Sequence, residues 1–131
     1  MQPIPANALV IVADGTGARV FHNRGDQRAL SLHQDELLEL VDMNDDGPAG
    51  AQPDGATGYQ IDKATFAKQL AQRLNDGALR DDYQSLVLVA DAQTLGEMRP
   101  LLHQEARQRL HGELAKTLTN VPREDIERLL S

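Results

Sequence analysis

Hydrophobic residues along this chain are concentrated in two short, continuous runs of nearly the same sequence. These are "ALVIVA" at residues 8–13 and "SLVLVA" at residues 85–90, each followed directly by an aspartate. A continuous apolar run, unlike an alternating one, is typical of a strand that is buried on both faces. Between the two runs, "ARVFHN" (18–23) and "RALSLHQ" (28–34) predict two further strands.

The first three strands are expected to form an antiparallel meander. Asp14-Gly15 predicts a tight hairpin after the first strand, because glycine tolerates the positive φ that such turns need. Residues 36–41 fit either a helical turn or an extension of the third strand, and the pattern does not decide between them.

Apolar positions four residues apart predict a helix that begins with Asp62 as its N-cap and runs to about Asp76. Gly77 follows, where a glycine is often found just beyond a helix end. The predicted core-facing stripe contains Phe66, Ala67, Leu70, Ala71, Leu74 and Ala78. A second helix near Thr94 is expected to bend or break at Pro100.

A last strand at 113–118 and a final helix with Pro122 in its first turn complete the element order β-β-β-α-β-α-(α)-β-α. The crossover makes the strand at 85–90 parallel to the strand at 8–13 and adjacent to it. We therefore predict an α/β fold with a mixed central sheet, an antiparallel three-strand meander plus parallel strands, and flanking helices. This arrangement is similar to the ribonuclease H-like fold.

The length of 131 residues fits one domain, 1–131, with a single core. Because aromatic residues are only 3% of the chain, this core is expected to be aliphatic. The absence of cysteine excludes disulfides and thiolate chemistry. The net charge of −7 is concentrated in residues 35–62, which hold eight acids and no base. Such a surface repels nucleic-acid phosphate, so free DNA is not an expected partner.

Residues 42–60 contain four glycines and two prolines and few apolar residues, which predicts a mobile acidic surface loop. The N-terminus lacks a basic region, and its apolar run is too short to span a bilayer. We therefore expect a cytoplasmic protein with no membrane span.

The two aspartates that follow the paired apolar runs are candidate metal ligands. If the strands are parallel neighbours, Asp14 and Asp91 lie at the same edge of the sheet, where ligands of open α/β sheets bind. Two carboxylates suit Mg²⁺, which could serve phosphodiester hydrolysis. The interpretation that we favour from the sequence is that Asp14 is a turn residue and Asp91 caps the next helix, with no cofactor bound.

Other motifs are incomplete. "DMNDDG" (42–47) resembles the start of an EF-hand loop, but its twelfth position is Pro53 where a glutamate is required. No Walker A sequence and no nucleophile elbow occurs, and the four histidines show no paired-ligand spacing. No residue is therefore assigned a catalytic role from its motif.

Four segments together resemble the bacterial host attachment protein family, whose members are described as required for attachment to host cells. These are "LVIVADGTGARVF", "TFAKQLAQRLN", "SLVLVADAQTLGEMRPLLH" and "KTLTNVPREDIERLL". The resemblance implies an interaction domain with an unknown protein partner, and the family has no established catalytic residues to carry over.

The chain is also distantly similar to the middle domain of archaeal and eukaryotic peptide-chain release factors and of Pelota. In that domain a strand ends in an Asp-Gly hairpin, and a long loop carries a Gly-Gly-Gln motif that enters the ribosome. Here the corresponding loop holds Gly50, Ala51 and Gln52. The alanine restricts the backbone where the motif has a second glycine, and the loop is acidic where the release-factor loop is basic.

Three hypotheses follow. The first is a non-enzymatic interaction domain of the host attachment type, whose acidic loop is available to a basic partner. The alternative is a ribosome-associated, release-factor-like module that acts on peptidyl-tRNA. A third is a metal-dependent phosphoesterase or nuclease that uses Asp14 and Asp91.

Overall fold

The computed structural model describes the backbone of residues 3–39 and 55–131, and the side chains of residues 3–38 and 66–131. The five strands are β1 (Leu9–Ala13), β2 (Gly17–Asn23), β3 (Leu32–Glu39), β4 (Leu86–Ala90) and β5 (Leu110–Ala115). The α-helices are α1 (Gly55–Leu79), α2 (Ala92–Met98), α3 (Gln104–Gln108) and α4 (Arg123–Leu130), with a 3-10 turn at Arg99–Leu101.

The strands form one mixed sheet in the order β3-β2-β1-β4-β5. Strands β1, β2 and β3 pair antiparallel, whereas β4 is parallel to β1 and β5 is parallel to β4. This confirms the predicted α/β class with its meander and parallel strands. The two similar apolar runs lie side by side, from Leu9 opposite Leu86 to Ala13 opposite Ala90. They are therefore neighbouring central strands.

The sheet separates two aliphatic cores, one on each face, where the sequence analysis predicted a single one. Because successive side chains of a strand point to opposite faces, β1 contributes Ile11 to one core and Val10 and Val12 to the other. The first core packs the predicted stripe of α1 against the sheet, with Phe66 and Leu70 fully buried. The second core contains Phe21, Val87, Val89, Ile126 and Leu130.

Helix α1 is longer at both ends than predicted. It begins at Gly55, so position 62 lies inside it and residues 55–60 are helical rather than part of the predicted loop. Helix extension past the two glycines costs about 1 kcal/mol for each of them, which propagation from an already formed helix can offset.

Gly77 lies inside the last turns of α1 and does not end the helix. The end is a Schellman arrangement in which the backbone N–H of Asp82 donates to Gly77 O at 2.8 Å and that of Asp81 donates to Ala78 O at 3.1 Å. Asp81 takes the left-handed conformation, with φ of 61°, that we predicted for a glycine. At position 77 a side chain would crowd Tyr83, whose Cε1 lies 3.1 Å from where a Cβ would stand.

Other boundaries also differ from the predictions. Strand β3 begins at Leu32 and continues to Glu39. Of the two alternatives for residues 36–41, a helical turn or an extension of the third strand, the described residues therefore show the strand. Strand β5 begins at Leu110, three residues before the predicted start. Pro100 lies in the 3-10 turn that follows α2, as its helix-breaking geometry predicts. Within the described residues, none of the helices is long and apolar enough to cross a membrane.

Candidate functional site

Asp14 and Asp91 follow the carboxyl ends of two parallel neighbours, β1 and β4. Because Ala13 lies opposite Ala90, the two aspartates leave the sheet at the same edge. Both line an open cleft of about 280 Å³, together with the β1–β2 turn and the first turn of α2. The predicted placement at one edge is therefore observed.

The Asp14 carboxylate organises the β1–β2 turn. Its Oδ1 accepts hydrogen bonds from the backbone N–H groups of Thr16 (2.7 Å) and Gly17 (3.0 Å) and from the Thr16 hydroxyl (2.7 Å). Its Oδ2 accepts from the Thr119 hydroxyl at 2.7 Å. The turn residues are Gly15 and Thr16, and no glycine in the described part of the chain has a positive φ. Side-chain acceptance by Asp14, rather than a left-handed glycine, holds this turn.

Two opposing effects act on the pKa of Asp14. Burial raises it, but the hydrogen bonds donated by Thr16, Thr119 and Gly17 together outweigh burial and lower the pKa below its ordinary value of 3.8. The carboxylate is therefore ionised at neutral pH.

Asp91 is the N-cap of α2. Its Oδ2 accepts from the backbone N–H of Thr94 at 3.1 Å, and its Oδ1 accepts from the Thr94 hydroxyl at 2.8 Å. Its extended backbone, with φ of −62° and ψ of 157°, is the usual conformation of this position. Both predicted metal ligands thus also satisfy the turn-and-cap interpretation.

The cleft has the oxygen chemistry that a hard cation prefers, since Glu97 lines it beside Asp14 and Asp91. However, the described residues contain no group of three or more His, Cys, Asp or Glu side chains arranged to hold a metal ion. The Mg²⁺ site stays a prediction.

Arg19, which the sequence analysis did not single out, fastens the C-terminal segment to the same hairpin. Its guanidinium Nη1 donates to Val121 O at 2.6 Å and to Thr119 O at 3.4 Å. The guanidinium also lies 4.9 Å from the centre of the Phe21 ring. Together with the Asp14–Thr119 hydrogen bond, these contacts hold the segment that leads into α4 against the β1–β2 hairpin.

A second polar cluster lies on the α1 side of β2 and β3. The register slips by one residue beside Val20 and Phe21, and Asp35 and Glu36 consequently both face this side. The Asp35 carboxylate lies 2.7 Å from Nδ1 of His22 and 4.0 Å from Nε2 of His33.

This histidine pair had no sequence signal, because its members are apart in the chain. His22 and His33 lie directly opposite each other across β2 and β3, with ring centroids 5.4 Å apart. Only strand pairing brings such residues together. The other predicted residues, Gly50, Ala51 and Gln52, lie outside the described residues, as does the EF-hand-like stretch at 42–47.

The five-stranded mixed sheet, the Asp-Gly hairpin at its edge and the flanking helices define a release-factor-like α/β domain. The model of the bacterial archaeo-eukaryotic release factor family 12 matches residues 7–130. The chain belongs to this family. We find no significant match among curated proteins. The predicted release-factor resemblance is confirmed, and the host attachment resemblance stays a prediction.

Proposed function

We propose that this chain is a non-enzymatic interaction domain built on the release-factor middle-domain fold. The observation that carries the proposal is the occupancy of the strand-end carboxylates by hydrogen bonds from the chain itself. Asp14 already accepts four such bonds, and Asp91 accepts two from Thr94. A carboxylate has about four acceptor sites, so a metal ion or a substrate proton would compete with the bonds that Asp14 already accepts, whereas Asp91 keeps two sites open. These side chains instead support a role in holding the fold.

A protein partner fits this proposal better than a nucleic acid. The net charge of −7 and the eight acids of residues 35–62 favour a basic binding surface over phosphate. The resemblance to the host attachment family supports the same class of partner.

The test is an activity assay with a matched variant. Purified chain is incubated with bis(p-nitrophenyl) phosphate and Mg²⁺ or Mn²⁺, and Asp14→Asn is assayed beside it. We expect no turnover that distinguishes the two proteins. Hydrolysis by the wild-type chain that the variant lacks would contradict the proposal and support a phosphoesterase.

A ribosome-associated, release-factor-like module that acts on peptidyl-tRNA is the second candidate, and the family match over residues 7–130 is the observation that raises it. In this interpretation Gln52 would take the place of the release-factor glutamine at peptidyl-tRNA. Ala51 in place of glycine and the surrounding acids oppose it.

Sucrose-gradient fractionation of native cell extract separates the two candidates. Migration with ribosomes or their subunits supports the second candidate, and migration only at the top of the gradient excludes it. Where the chain does migrate with ribosomes, Gln52→Ala should abolish peptidyl-tRNA release, and Gln104→Ala, at an exposed position, should leave it unchanged.

A further inference from the structure

A groove of about 480 Å³ runs between α1 and the sheet, on the side opposite α4. Its floor is apolar and consists of Leu9, Ile11 and Val20 from the sheet and Leu74 from α1. This volume lies within the range of sites that take small ligands or single side chains of a partner.

Tyr83 lines the groove and is almost fully buried. Its hydroxyl donates to Leu74 O at 2.6 Å. Burial raises the pKa of Tyr83 to about 12, so the phenol stays neutral. Tyr83 therefore contributes a neutral side chain, and no negative charge, to the groove.

The rim of the groove is acidic. Four carboxylates line it, against two guanidinium groups. Both guanidinium groups are already paired, Arg73 with Glu36 and Arg80 with Asp82. The rim therefore has an excess of negative charge, which favours a cationic ligand.

Gln69 also lines the groove, and it carries an unusual buried oxygen. Among the side chains that the structure describes, its Oε1 is the one buried nitrogen or oxygen atom without a hydrogen-bond partner. Buried polar atoms are nearly always paired, and an unpaired acceptor is costly. This atom requires a donor.

We infer that the groove binds an arginine or lysine side chain of a partner protein. The aliphatic stem of such a side chain packs on the Leu9, Ile11 and Val20 floor, as long basic side chains do on apolar surfaces. Its charged head pairs with the rim carboxylates. Because Gln69 Oε1 is closed to solvent in this structure, a change of the Gln69 rotamer accompanies binding and lets this oxygen accept from the charged head. The inference rests on the proposed interaction function, for which it names the place and the chemistry of the partner.

The first experiment is an NMR titration of the ¹⁵N-labelled chain. The probe is an acetylated, amidated Leu-Arg-Leu-Arg-Leu peptide, and the control peptide carries the neutral isostere citrulline in place of arginine. We expect amide shifts concentrated at Gln69, Arg73 and Asp76 on α1 and at Asp35 on β3, with binding of the control at least about tenfold weaker. Equal binding of both peptides, or shifts confined to other surfaces, would overturn the inference.

Variants assign the effect to the groove. Gln69→Met keeps the size of the side chain but removes the acceptor, and we expect it to weaken peptide binding without lowering the melting temperature. Asp76→Asn combined with Asp82→Asn should also weaken binding, whereas Glu124→Gln on α4 should not. If the groove variants bind like the wild type, the inference is wrong.

The two proposals fail separately. Unchanged peptide binding by the groove variants leaves the non-enzymatic assignment standing. Metal-dependent hydrolysis that Asp14→Asn abolishes would remove that assignment. The hydrolysis assay tests the strand-end cleft and not the groove.

Discussion

The strand-end cleft and the α1 groove differ in how their polar groups are satisfied. In the cleft, Asp14 and Asp91 follow conspicuous repeated motifs, and both accept hydrogen bonds from the chain itself. In the groove, no motif is present, yet the buried Oε1 of Gln69 has no partner within the described residues. The comparison teaches that the polar groups of the prominent motif are satisfied within the scaffold, whereas the buried acceptor without a partner in the described residues lies where no motif is visible.

The largest effect is expected from Asp14→Ala. The substitution removes the acceptor of two backbone N–H groups and two hydroxyls, so we expect the free energy of unfolding to fall by about 3 kcal/mol. Urea denaturation measures it. Asp14→Asn keeps one acceptor oxygen and should lose clearly less. A loss within about 0.5 kcal/mol for the alanine variant, typical of neutral surface changes, would contradict a scaffold role.

The pH dependence of stability should show the same carboxylate. Because the folded-state pKa of Asp14 is below its ordinary value of 3.8, its ionised form stabilises the fold fully above that value. The contribution is lost as the pH falls through the folded-state pKa, since the unfolded chain binds the proton more tightly. Melting temperatures of wild type and Asp14→Asn should therefore converge in acid. A gap that stays constant down to strongly acidic pH would exclude this linkage.

A smaller loss, about 1 kcal/mol, is expected for Asp91→Ala, which removes an N-cap. Thermal or urea unfolding provides the measurement. Asp91→Ser should restore most of the stability because serine is also a good cap, and Gln93→Ala at an exposed neighbouring position is the control. An alanine variant as stable as the wild type would show that the cap is dispensable.

In the groove, we expect removal of the polar group not to lower the free energy of unfolding, in contrast to the cleft. Gln69→Met replaces a buried acceptor that has no partner in the part of the chain that the structure describes, so we expect the free energy of unfolding to stay unchanged or to rise by up to about 1 kcal/mol. Urea denaturation beside Asp91→Ala makes the comparison direct. A clear loss of stability would mean that the Gln69 amide supports the fold, and the contrast between the two regions would disappear.

The smallest effect is expected from divalent cations. Since the carboxylates of the cleft are engaged, Mg²⁺, Mn²⁺ and Ca²⁺ should leave the melting temperature unchanged. A specific ion that binds the folded state would raise it by mass action. A rise that Asp14→Asn abolishes would instead support the predicted Mg²⁺ site.

The success of prediction differs between elements for physical reasons. The central strands were predictable because a run such as Val10 to Ala13 has no polar residue to place in solvent. The end of α1 was not predictable in this way. Gly77 fits the local rule for a helix terminus, but it is a glycine because Tyr83 packs where a side chain at position 77 would lie. Local propensity is weaker than such a tertiary contact.

The candidate site divides in the same way. The placement of Asp14 and Asp91 at one edge followed from strand order and from the usual handedness of crossovers. Their donors did not, since Thr119 reaches Asp14 from the far end of the chain. The groove was not predictable at all, because its rim depends on a one-residue slip in the β2–β3 register.

By itself, the sequence determined the class of fold, the order of its elements, the two central strands and the acidic balance of the surface. These properties depend on local periodicity and composition, which can be taken directly from the order of residues along the chain. The tertiary structure decided which polar groups are satisfied. It supplied the Asp14 carboxylate with a hydrogen bond from the distant Thr119, and it left the Gln69 oxygen without a partner among the described residues. Hydrogen bonding of buried groups depends on residues that only folding brings together.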